Sequence, residues 1–152
     1  MRILRAKPEQ AEEISKLRIE TIKAFPQDNP MPGEIEFVIK RNTPEIIKEK
    51  IKTRDIFNME ERGKIIGNIE LNGDKLNNLY VHKDKLKQGI GEKLLLFIED
   101  YAKKKGVTKF HFRSTPSAVT FYKKFGYKIT KVEKTIQDGI EMTHTLMEKE
   151  LK

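Results

Sequence analysis

The stretch from Leu79 to Leu95 constrains this chain more than any other. It reads Leu79-Tyr80-Val81-His82, then a lysine-rich loop ending in Gln88-Gly89-Ile90-Gly91, then Glu92-Lys93-Leu94-Leu95. A short apolar strand thus hands over, through glycines, to an amphipathic helix. The first amides of a helix lack intrahelical partners and sit at the positive end of its dipole. Glycine there permits positive φ and close approach of a ligand to the backbone. The pattern describes an anion cradle suited to phosphate or pyrophosphate. On the two glycines alone, a turn that merely starts a helix is the favoured reading.

The helix after the cradle is the best-defined element. Leu94, Phe97, Ile98, Tyr101 and Ala102 recur at helical spacing and form one apolar stripe. Lys103, Lys104 and Lys105 complement the dipole at its end, and Gly106 fits the stop. Lys109 to Arg113 reads as the next strand. Thr115-Pro116 reads as the N-cap and first residue of a short helix running to about Lys124. Two last strands, about Lys128 to Ile136 and Ile140 to Met147, meet at Gln137-Asp138-Gly139.

Upstream, Ile3 to Ala6 is a short strand, and Pro8 suits the start of a helix carrying Ile14, Leu17, Arg18, Thr21 and Ile22. Three prolines and a glycine make Phe25 to Gly33 a loop. Ile35 to Ile39 is a short helix. Thr43-Pro44 opens another, running to about Lys52. Asp55 to Glu60 and Lys64 to Leu71 form a hairpin, and Asn72-Gly73-Asp74 turns into a strand over Leu76 to Val81. One mixed α/β sheet with helices on both faces accounts for this order.

At 152 residues the chain suits one domain with a sizeable core. It has no cysteine, which excludes disulfides, thiolate catalysis and Cys-based metal sites. The three histidines (His82, His111, His144) lack metal-ligand spacing, so no metal is expected. No apolar run approaches a bilayer span, and the N-terminus lacks a signal-peptide core. The expectation is a soluble cytoplasmic protein without a membrane partner. The formal charge of +8 falls wholly in residues 75–152, which hold 17 Lys+Arg and 9 Asp+Glu; residues 1–74 hold 14 of each. A basic half suits a polyphosphate ligand, a nucleic acid or simply a lysine-rich solvated surface.

Two motifs in this layout resemble the GNAT superfamily of acetyl-CoA-dependent N-acetyltransferases. Leu79-Tyr80-Val81-His82 with Gln88-Gly89-Ile90-Gly91 resembles the family's pyrophosphate loop. Ala118-Val119-Thr120-Phe121-Tyr122-Lys123-Lys124-Phe125-Gly126-Tyr127 resembles its Ala-x-x-Phe-Tyr-x-x-x-Gly-Phe/Tyr segment. One helix and one strand separate them, as the family requires. The likeness is good over about residues 54–151. It implies a single N-acetyltransferase domain over 1–152, built on a mostly antiparallel sheet of about seven strands flanked by helices. That sheet would splay between the strands at 76–81 and 109–114. The chain departs from the pattern at Lys83, Leu86, Lys87 and Thr115, where the family favours Pro, Gln or Arg, Gly and Asn.

The resemblance also implies roles. Acetyl-CoA would be the co-substrate, held by Leu79, Tyr80 and Val81 and by loop amides of Lys87, Gln88, Gly89, Ile90, Gly91 and Glu92. Thr115, Ala118, Phe121 and Lys124 would flank it, Phe121 mainly as packing, and Arg113 is a second cation within reach of the phosphates. Tyr122 would be the general acid, since a phenol stays protonated at neutral pH. The base is open among Glu70, His111 and a water relay, with His82 expected to face solvent. The expected partner is a small-molecule amine, chosen by the Phe25–Gly33 loop and the helices around it; a homodimer is left open and nucleic acid is disfavoured. The alternatives are a protein lysine or N-terminal acetyltransferase, or a non-catalytic CoA-sensing or nucleic-acid-binding module.

Overall fold

The computed structural model describes residues 1–152. Its strands are β1 (Arg2–Arg5), β2 (Asp55–Glu61), β3 (Lys64–Asn72), β4 (Lys75–Val81), β5 (Lys109–Ser114), β6 (Lys128–Gln137) and β7 (Ile140–Glu150). They form one seven-stranded sheet in the order β1-β2-β3-β4-β5-β7-β6. Only β4 and β5 run parallel; every other neighbouring pair is antiparallel. The helices are α1 (Ala11–Ala24), α2 (Glu34–Lys40), α3 (Pro44–Thr53), α4 (Ile90–Lys104) and α5 (Val119–Lys124). None is long and apolar enough to cross a membrane.

The apolar stripe of α4 builds the larger core. Leu94, Leu95, Ile98 and Ala102 pack with Ile69, Leu71, Phe110 and Phe112 on one face of the sheet. Ile14 and Leu17 of α1 and Ile47 of α3 pack with Ile56 and Ile65 on the other. Helices therefore cover both faces, as the element order predicts. Gly67 of β3 lets α4 approach: a Cβ there would lie 2.8 Å from Leu94 Cδ1 and 3.0 Å from Ile90 Cγ2.

Two helix starts differ from expectation. Pro8–Gln10 is a 3-10 turn, and α1 begins only at Ala11. The Gln10 side chain accepts a hydrogen bond from the Lys7 amide at 2.9 Å and so closes that turn first. Thr115 likewise precedes a 3-10 turn, Pro116–Ala118, which leads into α5. β7 runs on to Glu150, beyond the expected Met147, because it pairs with β5 as far as Lys109 opposite Glu150.

Candidate active site

The site starts where the sheet fails. β4 and β5 share a single register pair, Lys75 with His111. Beyond it the strands part, which is the splay expected between them. β4 also carries a bulge. Its pairing with β3 jumps from Leu76 opposite Leu71 to Asn78 opposite Glu70, leaving Asn77 as the extra residue. A cavity of about 450 Å³ opens at the parted strands. Leu79, Tyr80, Val81, Thr115, Ala118 and Phe121 line it, as does Tyr122.

Gly91 marks the rim of that cavity where α4 begins. The first ladder bond of α4 runs from the Lys93 amide to the Gly89 carbonyl at 3.1 Å, and the amides of residues 87–92 have no partner within the chain. They form a row of donors at the positive end of a fifteen-residue helix. The two glycines serve this row for different reasons. Gly89 has φ +77°, which L side chains rarely adopt. Gly91 is in helical conformation, but a Cβ would lie 3.3 Å from Phe121 Cζ. Lys87, standing where the resembled pattern has glycine, takes φ +61° with a side chain attached.

The cofactor expectations separate accordingly. Ile90 has only its backbone to offer a ligand, because its side chain is buried against β3. Lys87, Gln88, Gly89 and Glu92 are exposed around the helix start, where their amides are available. Lys124 is exposed at the end of α5 and does not line the cavity. Arg113 lines the cavity but belongs to the other face of the sheet. Phe110 and Phe112 pack toward α4, so alternation turns His111 and Arg113 away from the helix start. Leu86, in place of Gln or Arg, brings an exposed apolar side chain to the rim.

Tyr122 is buried, its ring 4.5 Å from Phe112 and 5.2 Å from Phe121 between centroids. No hydrogen bond within the chain engages its hydroxyl. That oxygen is not sealed in the core, so it opens on the cavity that the side chain lines. Burial, and then the neighbouring Tyr80, push its pKa above the usual tyrosine value. The phenol is therefore neutral throughout the physiological range. Tyr80 donates its own hydroxyl to Asn78 Oδ1 at 3.0 Å.

Among the base candidates, Glu70 is already engaged. Its carboxylate accepts from Arg18 Nη2 at 3.0 Å, from Asn77 Nδ2 at 2.9 Å and from Arg54. Burial opposes the charge, but Arg18 and Lys50 outweigh it and bring the pKa down to about 2. So depressed, the carboxylate is a poor proton acceptor. His111 is exposed and sits 3.1 Å from Asp74 Oδ1, away from the cavity. His82 is half-buried and accepts from the Asp84 amide at 3.1 Å, closing a turn.

Sequence reasoning passed over three participants. His144 on β7 lines the cavity, its pKa lowered by burial and by Arg113. Arg18, fully buried, also donates to Asn68 Oδ1 at 2.8 Å and Asn42 Oδ1 at 3.1 Å. Its signal was a charged residue on an apolar helical stripe. Asp28 holds Ser117, accepting from its amide at 2.9 Å and its hydroxyl at 2.6 Å. That pair ties the Phe25–Gly33 loop to the segment before α5 and closes one side of the cavity. No local pattern links residues so far apart in the chain.

The family model for an acetyltransferase (GNAT) domain matches residues 11–151. A GCN5-related N-acetyltransferase from Rhodopseudomonas palustris shares the fold at a TM-score of 0.90, with 20% identity over 99% of this chain and 95% of that one. PaiA N-acetyltransferase from Thermoplasma acidophilum, solved in complex with coenzyme A, aligns at 0.79, with 25% identity over 99% of both chains. An uncharacterized protein of Bacillus subtilis, YyaT, is 37% identical over 65 residues, which span 43% of this chain and 42% of its own length. The splayed β4, the unpaired amide row and the match over nearly the whole length agree: the chain belongs to the GNAT acetyltransferase family.

Proposed function

We propose that the protein transfers an acetyl group from acetyl-CoA to a primary amine of a small molecule, by direct attack in a ternary complex, with Tyr122 as general acid. One observation carries this reading: Tyr122 and the helix-start residue Gly91 line a single cavity. A phosphate-binding backbone and a proton donor therefore serve the same ligand.

Acetyl-CoA supplies an activated acyl group as a thioester. The amides of residues 87–92 receive its pyrophosphate. The parted edge of β4 leaves backbone groups free for the pantetheine arm and the thioester carbonyl. The amine nitrogen bonds to the carbonyl carbon and loses a proton to His144 or to water. The C–S bond then breaks, and Tyr122 delivers its proton to the departing sulfur. Products are the N-acetyl amine and free CoA. The Asp28–Ser117 pair closes one side of the cavity, which suits a small acceptor better than a protein segment.

The test is a thermal shift with acetyl-CoA, followed by thiol release over a panel of amines. Acetyl-CoA should raise the Tm by mass action, and one or more amines should release CoA. No shift at millimolar acetyl-CoA would overturn the reading.

A further inference from the structure

The acceptor side of the cavity carries one loosely paired cation, Arg113. Its apolar wall is Ile22, Phe25 and Val38, where α1, the following loop and α2 meet. Its polar wall is Asn29, Asn77 and Asn78, with Arg113 and His144 from β5 and β7. Asp28 is the sole carboxylate on the lining, and both of its oxygens are taken by Ser117. Neither donor carries a charge, and no cation pairs with that carboxylate. A polycationic acceptor such as a polyamine or an aminoglycoside would meet Arg113 with the single carboxylate of Asp28 on the lining to set against its several ammonium groups. The pairing of Arg113 is loose. Its Nη2 lies 3.4 Å from Glu133 Oε1, at the long end for a charge-assisted bond, and that carboxylate also faces Lys131 at 3.7 Å. Most of the guanidinium's donors remain available.

We propose that the acceptor is a monoamine that carries a carboxylate on an apolar body. Arg113 takes the carboxylate through its planar fork, which matches carboxylate geometry. Ile22, Phe25 and Val38 take the apolar body. The amine is left to face the parted edge of β4 and Tyr122. His144 is held toward its neutral form by burial and Arg113, and so leaves the attraction to the arginine. This inference rests on the acetyl-transfer reading above.

The experiment compares matched amines in the thiol-release assay: phenylalanine with phenethylamine, and 6-aminohexanoate with hexylamine, against spermidine and kanamycin. In each arm acetyl-CoA binding is followed separately by thermal shift. At least one carboxylate-bearing member should exceed its neutral partner in kcat/KM by about 10–100-fold, the scale of a charge-assisted hydrogen bond. Arg113→Gln should bring that ratio to within about threefold. A ratio unchanged by Arg113→Gln, neutral partners equal to or better than their carboxylates, or faster turnover of spermidine or kanamycin would each overturn the proposal. Thermal shift by acetyl-CoA without turnover of any panel member would overturn it while leaving the cofactor site standing. Absence of the shift would overturn the transfer reading itself.

Discussion

Glu70 accepts a hydrogen bond from Asn77, the extra residue of the β4 bulge, at 2.9 Å. A carboxylate fully enclosed in the protein thus holds the distortion that opens the sheet. Behind it stand Arg18, equally buried, and Arg54. Of these groups only Asn77 lines the cavity. Removing one charge from such a cluster strands the others. Glu70→Gln should cost about 3–5 kcal/mol, the range for breaking a buried pair from one side, read as a lower urea midpoint at unchanged slope. Asn77→Ala removes the link and leaves the charges paired. It should cost far less stability but lower turnover about tenfold or more by misplacing β4. Equal stability losses in the two variants would show that the Asn77 link cannot be cut without breaking the charge cluster.

The same carboxylate sets an acid limit. Its pKa in the folded protein is about 2, against an ordinary 4.5. The folded value is depressed, so its contribution is complete above the unfolded pKa and is lost as pH falls from about 4.5 towards 2. The loss is on the order of 3 kcal/mol across that window. Urea midpoints at pH 7, 4.5 and 3 should fall more steeply below pH 4.5 in wild type than in Glu70→Gln. Parallel curves would assign acid sensitivity to other carboxylates.

Gly89 and Gly91 should fail in different ways. A Cβ on Gly89 meets open space, but the backbone stands at φ +77°. Gly89→Ala should therefore cost stability, about 1–2 kcal/mol, with a smaller loss of acetyl-CoA affinity. Gly91→Ala meets no φ penalty and instead presses on Phe121, which lines the cavity. It should weaken acetyl-CoA more than it lowers the Tm. Calorimetric Kd values beside melting curves distinguish the two, and the reverse order would refute this division of roles.

Much of this arrangement was legible in the chain. The helix start at Gly89 and the aromatic run at Phe121-Tyr122 are local patterns, fixed by turn geometry and side-chain periodicity. The splay was legible through family likeness alone, since Leu76 to Val81 reads as an ordinary strand. The bulge at Asn77 was not legible, because nothing local distinguishes the Asn77-Asn78 pair from a paired strand. Glu70 looked available because its partners come from α1, from the end of α3 and from β4. His144 carries no local signal for the same reason: only the pairing of β7 with β5 carries it beside Arg113.

His144 gives the acid limb of activity its expected position. Burial and Arg113 lower its pKa from 6.5, so it is neutral at pH 7 and able to accept a proton. With the histidine as acceptor, the half-point of the acid limb of kcat/KM should lie below pH 6.5, after correction for ionisation of the amine. His144→Asn should remove that limb and lower the plateau. A plateau unaffected by the substitution would assign the proton to water.

The role of Tyr122 admits the cleanest variant, because Tyr122→Phe keeps the ring among Phe112, Phe121 and Tyr127. The hydroxyl makes no bond within the chain, so its loss should leave the Tm and the acetyl-CoA affinity nearly unchanged. If that hydroxyl protonates the departing sulfur, kcat should fall by about 10²–10⁴-fold. Burial and Tyr80 raise its pKa, so the wild-type rate should show no limb from tyrosine ionisation below pH 10. Phe121→Leu is the control: it should cost stability at the α4–α5 contact while the folded fraction keeps most of its turnover. A loss in Tyr122→Phe below about tenfold, with chemistry shown to be the slow step, would remove the phenol from proton transfer and leave it only orienting the sulfur.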